Sequence, residues 1–126
     1  MSPKSMMTTE EKTAIIMAAL EDKKAINPVV INVRGRTTIT DNFIVASGTS
    51  NTHVRSLIDA VIDKLSEAGM KSKRIEGYEE ATWILLDYGD VIVHVFAPEQ
   101  REFYRIEAYW SGEEKGSPPP LSPSEI

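Results

Sequence analysis

The sequence predicts an α/β fold: a single mixed β-sheet of about five strands packed by helices, in the order α-β-β-α-β-β-β-α. Three observations carry that prediction. Two segments place apolar residues at helical spacing. Five short runs are β-branched or aliphatic and are bounded by turn residues. The last two of those runs are separated only by Tyr88-Gly89, so they form a hairpin and the sheet contains antiparallel neighbours. One sheet covered by helices buries both kinds of apolar face. A chain of 126 residues, 41% hydrophobic and 26% charged, is long enough for one such core.

The elements follow in order. Residues 1–8 are small and polar, are interrupted by Pro3, and are read as a disordered N-terminus. Thr8-Thr9-Glu10-Glu11 reads as a capping box that opens a helix running to about Lys24. Its apolar stripe is Ile15, Ile16, Ala19 and Leu20, with Lys12, Glu21 and Lys23 expected in water. Val29–Val33 follows Pro28 and is β-branched, hence a strand; Arg34-Gly35-Arg36 turns the chain into a second strand, Asn42–Ser47. After the loop Gly48-Thr49-Ser50-Asn51, the residues Val54, Leu57, Ile58, Val61, Ile62 and Leu65 share one helical face, and Gly69 ends that helix. A short strand near Ser72–Gly77, strands at Thr82–Asp87 and Asp90–Phe96, and a helical stretch from Pro98 to about Trp110 complete the domain, 9–110. From Ser111 the glycines and Pro118, Pro119, Pro120 and Pro123 cannot build a core, so 111–126 is expected to be a flexible Pro-rich tail.

Composition removes several classes of function. There are no cysteines, which excludes disulfides, thiolate metal sites and thiol nucleophiles. The net charge is −5, so binding to a phosphate backbone is not expected to dominate. An acidic protein suits a basic partner. No apolar run approaches the roughly 18 residues of a membrane span, and the first residues lack a signal-peptide core, so a cytoplasmic protein with no membrane contact is expected.

The last hairpin is the most informative stretch. A two-residue turn at Tyr88-Gly89 pairs Asp87 with Asp90, Leu85 with Ile92 and Trp83 with His94. One face then carries Ile84, Leu86, Val91, Val93 and Val95 and is core. The other carries Trp83, Leu85, Asp87, Asp90, Ile92, His94 and Phe96. Two opposed carboxylates repel, a basic partner would relieve them, and Trp or Tyr beside a polar rim is the make-up of an interface hot spot. The acidic loop Glu76-Gly77-Tyr78-Glu79-Glu80 leads into the same patch. The competing reading has Trp83 covered by another segment and the acids in water at the turn. Phe103 and Trp110 read as packing residues, while Tyr104 stays open between packing and contact.

Catalytic chemistry is poorly supported. Asp87 and Asp90 alone make a weak metal pair. His53 and His94 have no zinc spacing, and no nucleophile is identifiable beside His94, which reads as a contact residue. Gly48-Thr49-Ser50 lacks the Gly-Lys-Ser/Thr ending of a P-loop. A minimal nucleotidyl transferase using that loop would need carboxylates on a following strand to hold Mg²⁺, whereas Asp59 and Asp63 lie on the solvent side of a helix. N-capping by Ser50 or Asn51 explains the loop more simply. No catalytic residue, metal or cofactor is expected.

Taken together, Thr40-Asp41-Asn42-Phe43, Ala46-Ser47-Gly48-Thr49-Ser50-Asn51, His53-Val54, Glu76-Gly77, Trp83, Asp87-Tyr88-Gly89-Asp90, Val93-His94-Val95-Phe96, and Arg101 with Phe103-Tyr104 and Glu107 resemble the ribosomal silencing factor (iojap) family. The resemblance covers about residues 9–110. It departs at Thr52, where many relatives carry Arg, and at Asn32, where Asp is common. It implies a nucleotidyltransferase-like fold without transferase activity. It also implies a translational repressor, active when nutrients are short. Such a protein binds the large ribosomal subunit at large-subunit ribosomal protein fourteen and sterically blocks joining of the small subunit. The partner surface of that reading comprises Trp83, Leu85, Asp87, Tyr88, Asp90, His94, Glu76 and Tyr104. A homodimer formed through the same face is compatible with it, and a purely homodimeric interaction module is the alternative beside the transferase.

Overall fold

Thr8 starts the first helix as the capping box requires: its hydroxyl accepts the Glu11 N–H at 3.0 Å, and the Glu11 carboxylate accepts the Thr8 N–H at 2.9 Å. These bonds hold the Glu11 carboxyl below its usual range. The computed structural model describes residues 7–113 and 116–125, so most of the N-terminal stretch expected to be disordered lies outside the described residues. The helix, α1 (Thr9–Asp22), is followed by β1 (Ile26–Asn32), β2 (Asn42–Ser47), α2 (Asn51–Glu67), β3 (Arg74–Glu76), β4 (Trp83–Asp87), β5 (Val91–Phe96), α3 (Pro98–Tyr104) and α4 (Ile106–Trp110).

The five strands form one sheet in the order β1-β2-β5-β4-β3. Only β2 and β5 run parallel; the other pairs are antiparallel. The parallel pair needs a crossover, and α2 supplies it. β1 begins three residues earlier than the sequence suggests. It does so through an irregularity between Ile26 and Val29, where Pro28 has no N–H to offer a ladder.

One face of the sheet is covered by α1 and α2. Val54, Leu57, Ile58, Val61 and Leu65 of α2 are buried there with Ile44, Ile84, Leu86, Val91, Val93 and Val95. Each such side chain contributes roughly 1.5–3 kcal/mol of transfer free energy. Ser50 caps α2 by accepting the His53 N–H at 3.1 Å. Lys12, expected in water, is buried: its ammonium donates to Asp90 at 2.7 Å and ties α1 to the hairpin turn.

The second face is also buried. Ile31, Val33, Phe43, Val45, Trp83, Leu85, Ile92 and Phe96 lie under Ile106 and Trp110. The single last helix expected from Pro98 to Trp110 breaks at Arg105, whose φ of +50° ends α3 and redirects the chain. That turn lets Ile106, Ala108 and Trp110 face the sheet. Beyond it the chain does not simply leave the domain. Leu121 packs on the second layer, Ser122 is buried, and Pro123–Glu125 forms a 3-10 turn beside β4. A Pro-rich segment builds no core of its own, but it can lie on one already formed. Among the described residues no helix is long and apolar enough to cross a membrane.

Candidate protein-docking face

The β4–β5 hairpin turns one residue later than the sequence suggests. Gly89, with φ of +89°, occupies the first central position of the turn, and the Tyr88 N–H donates to the Val91 carbonyl at 2.9 Å. The ladder therefore pairs Trp83 with Phe96, Leu85 with His94 and Asp87 with Ile92, two residues away from the expected register. A shift of two preserves the faces, so Trp83, Leu85, Asp87, Ile92, His94 and Phe96 still share one side. The two carboxylates, however, do not oppose each other. The Asp87 carboxylate accepts the Gly89 N–H at 2.7 Å and lies 3.9 Å from Arg74. Asp90 turns to α1, accepting from Lys12 and, at 2.6 Å, from the Thr9 hydroxyl. Burial pushes the Asp90 carboxyl up, but these donors outweigh it and hold it below its usual range.

Six of the eight expected surface residues do lie on one face. The β3–β4 register sets Glu76 opposite Leu85 and Arg74 opposite Asp87, next to Trp83, His94 and Tyr104. Tyr88 and Asp90 are separated from them. Tyr88 is packed in the α1–α2 layer, where burial pushes its phenol up to about 12.

Exposure differs from the expectation more sharply. Trp83 is 1% exposed, Leu85 is fully buried, and His94 is 1% exposed. The reading in which another segment covers Trp83 describes the isolated chain. An aromatic layer fills this space: Trp83 stacks on Phe96 at 5.1 Å between ring centroids and meets Tyr104 at a tilt at 5.0 Å, and Phe43 meets His94 edge-on at 4.9 Å. The Trp83 indole N–H donates to His94 Nδ1 at 3.1 Å, which places the imidazole proton on Nε2. Full burial pushes the His94 imidazole down to about 3, so the ring is neutral and suited to packing rather than to proton transfer.

Glu76, Asp87 and Tyr104 form the part-exposed rim of the layer. Glu76 accepts from Arg74 at 3.0 Å and from the Ser124 N–H at 3.2 Å. Burial pushes its carboxyl up, but the bonds from Ser124 and Ser122 and the Arg74 charge hold it below the usual range.

Arg101 is the residue that sequence reasoning left without a role. Its guanidinium chelates Glu107 at 2.5 and 2.9 Å and donates to the Ile26 and Asn27 carbonyls and to Ser47. It thereby clamps α3 and α4 to the β1–β2 edge. A separation of six residues is not a helical pairing distance, so only the break at Arg105 brings Arg101 and Glu107 together.

The Gly48–Ser50 loop sits at the ends of the parallel strands β2 and β5, where open α/β sheets bind nucleotides. Its first two backbone donors are engaged internally, the Gly48 N–H by the Phe96 carbonyl at 2.9 Å. The Thr49 N–H donates to His53 Nδ1 at 2.8 Å, His53 Nε2 reaches the Lys23 carbonyl at 2.8 Å, and Ser50 takes the His53 N–H. Glu99 is the one carboxylate lining the adjoining groove. Among the described residues no group of three or more His, Asp or Glu could hold a metal ion.

Comparison with known proteins places the whole fold among related chains. Residues 6–125 match the family described as "Ribosomal silencing factor during starvation". The match takes in the C-terminal segment, beyond the 9–110 that the resemblance covered. The chain is 38% identical over 104 residues to ribosomal silencing factor RsfS of Halalkalibacterium halodurans, covering 82% of this chain and 89% of that protein. It is 28% identical over 100 residues to the mouse protein named mitochondrial assembly of ribosomal large subunit protein 1, covering 77% of this chain and 44% of that one. A crystal structure of a protein from Chromobacterium violaceum superposes with a TM-score of 0.82 at 40% identity, covering 88% of this chain and 92% of that chain.

Proposed function

The chain belongs to the ribosomal silencing factor family, and from that membership we propose that it represses translation by binding the large ribosomal subunit and excluding the small one. The contact on the subunit is large-subunit ribosomal protein fourteen, the setting is the cytoplasm, and the trigger is nutrient limitation. No reaction is needed. A 14.0 kDa body seated on the joining surface fills space that the small subunit must occupy.

The observation that supports this best is the gathering of Trp83, Leu85, His94, Tyr104, Glu76 and Asp87 on one face, rimmed by acids. Acidic rim residues steer a basic partner and the aromatic layer supplies the buried anchor. The name of the mouse relative, which assigns it to assembly of the large subunit, points to the same particle.

The test uses separated ribosomal subunits mixed with the protein and resolved on a gradient. Wild type is expected to travel with the large subunit and to lower the joined-ribosome peak. The double variant Glu76→Lys/Asp87→Lys reverses the rim charge without touching the buried rings, and it should do neither. If wild type stays at the top of the gradient, the proposal is wrong. If the charge-reversed protein sediments like wild type, this face is not the docking face.

A further inference from the structure

We infer that the C-terminal segment Ser117–Glu125 is a detachable strap, lying over the Trp83 face in the free chain and lifting before the large subunit can dock there. The inference rests on the docking face proposed above and adds a regulatory element to it.

Position is the first argument. Leu121 packs on the cluster that contains Trp83, Leu85 and Phe96, and Ser122 is 4% exposed. The Pro123 ring lies against Gly77, 3.2 Å from where a Cβ on that residue would sit. The 3-10 turn Pro123–Glu125 runs beside β4, the strand that carries Trp83, Leu85 and Asp87. The strap therefore occupies the space through which a partner would reach these side chains.

Competition is the second. The polar attachment of the strap to the sheet converges on Glu76, whose carboxylate accepts the Ser124 N–H at 3.2 Å. Ser122 adds to the same attachment on Glu76, while Leu121 N–H to the Glu125 carboxylate, Glu125 N–H to the Ser122 carbonyl and Ser122 to Ser124 are internal to the strap. Glu76 is also one of the two rim acids that a basic partner would engage. Strap and partner cannot both have it.

Weak seating is the third. Two open surface grooves flank the strap where it lies against the helices. One, of about 640 Å³, lies among Arg36, Tyr109, Trp110, Pro118 and Leu121. The other, of about 370 Å³, lies among Phe103, Tyr104, Tyr109, Pro119 and Pro120. A contact this open holds the segment down without locking it. Pro118, Pro119 and Pro120 keep the segment extended whether docked or lifted, so lifting releases little backbone entropy and docking costs little.

A strap that occludes the face most of the time lowers apparent affinity by the fraction of molecules that are open. Binding of full-length proteins to separated large subunits measures that fraction. Leu121→Asp removes the apolar anchor outside the proposed docking residues, and it should bind about tenfold tighter than wild type. The chain has no cysteine, so Phe103→Cys/Pro120→Cys, which line the same groove and lie outside the proposed docking residues, can be bridged by a bis-maleimide without side reaction. The same protein capped by a monofunctional maleimide is its control. The bridged form should bind at least about tenfold more weakly than the capped form. Thermal melting checks that Leu121→Asp is folded, and the bridged pair decides the matter if it is not. Equal binding by wild type and folded Leu121→Asp, or by bridged and capped protein, overturns the strap while leaving the docking face standing. Failure of every form to bind the subunit removes the docking reading itself, and the strap with it.

Discussion

His94 offers the sharpest test of the aromatic layer. Its ring is fully buried between Phe43, Trp83 and Phe96, and its Nδ1 is already occupied by the Trp83 N–H. A second proton would have to displace that donor and place a charge in an apolar layer. The folded-state pKa falls accordingly from the ordinary 6.5 to about 3. The sign follows from which state takes up the proton. Above pH 6.5 His94 is neutral in both states and contributes no pH dependence. Below 6.5 the unfolded chain binds a proton that the folded chain refuses, so stability falls as pH falls, down to about pH 3. Between pH 7.5 and 5.5 this amounts to about 1.4 kcal/mol, or a drop of roughly 0.5–1 M in urea midpoint for a domain of this size. The assay is urea unfolding across that range for wild type and for His94→Gln, whose side-chain oxygen can still accept from Trp83. The range stays above the carboxylate titrations, and the variant retains His53. The difference between the two profiles therefore isolates His94. The variant should be flatter by about 1.4 kcal/mol over the two pH units. Parallel profiles would refute the buried neutral imidazole and the packing that imposes it.

Three further outcomes are expected. Trp83→Ala should lower stability by about 3–5 kcal/mol, because it empties a fully buried site. A Trp83 exposed for a partner would tolerate the change, so calorimetry showing a loss under about 1 kcal/mol would contradict its burial. Lys12→Met should cost about 1–2 kcal/mol at pH 7 by leaving a part-buried Asp90 without its cation. The Asp90 carboxyl is held below its ordinary 3.8, so the stability from the pair is present above that value and is lost as pH falls through the lowered one. The destabilisation by Lys12→Met in chemical unfolding should therefore shrink in acid, and a cost that does not change with pH would contradict the pairing. Gly77→Ala should destabilise by more than about 1 kcal/mol, since φ is +80° and the new Cβ would lie 2.1 Å from the Trp83 carbonyl oxygen; a neutral result would show that the β3–β4 loop takes another path.

Much of the fold was legible because local signals agreed with one another. The Thr8 capping box, the α2 stripe and the assignment of Ile84, Leu86, Val91, Val93 and Val95 to the core face all appear in the structure. Trp83, Leu85, Asp87 and His94 share a face for the same reason, since alternation along a strand assigns sides whatever the register; Glu76 joins them through the β3–β4 ladder and Tyr104 through the packing of α3. Tyr88 and Asp90 were misplaced because the turn was set one residue early. Gly89 takes the first central position of the turn, not the second, so Asp90 becomes a turn residue instead of the partner of Asp87, and Tyr88, assigned to the surface through the family resemblance, becomes a ladder residue on the core face.

The sequence by itself determined the element order, the sides of the hairpin and the family, because these follow from periodicity, capping and motifs read within short windows. The tertiary structure alone decided what covers the second face. That outcome depends on the positive φ at Arg105, on the clamp between Arg101 and Glu107, and on Leu121 and Ser124 reaching back to β4 and Glu76. Those contacts join residues far apart in the chain or out of helical phase. Nor could any local pattern reveal a register shift of two, which leaves every side chain on its own face. Lys12 shows the same limit: its burial against Asp90, across 78 residues, depends on how α1 meets the hairpin turn rather than on anything in its own helix.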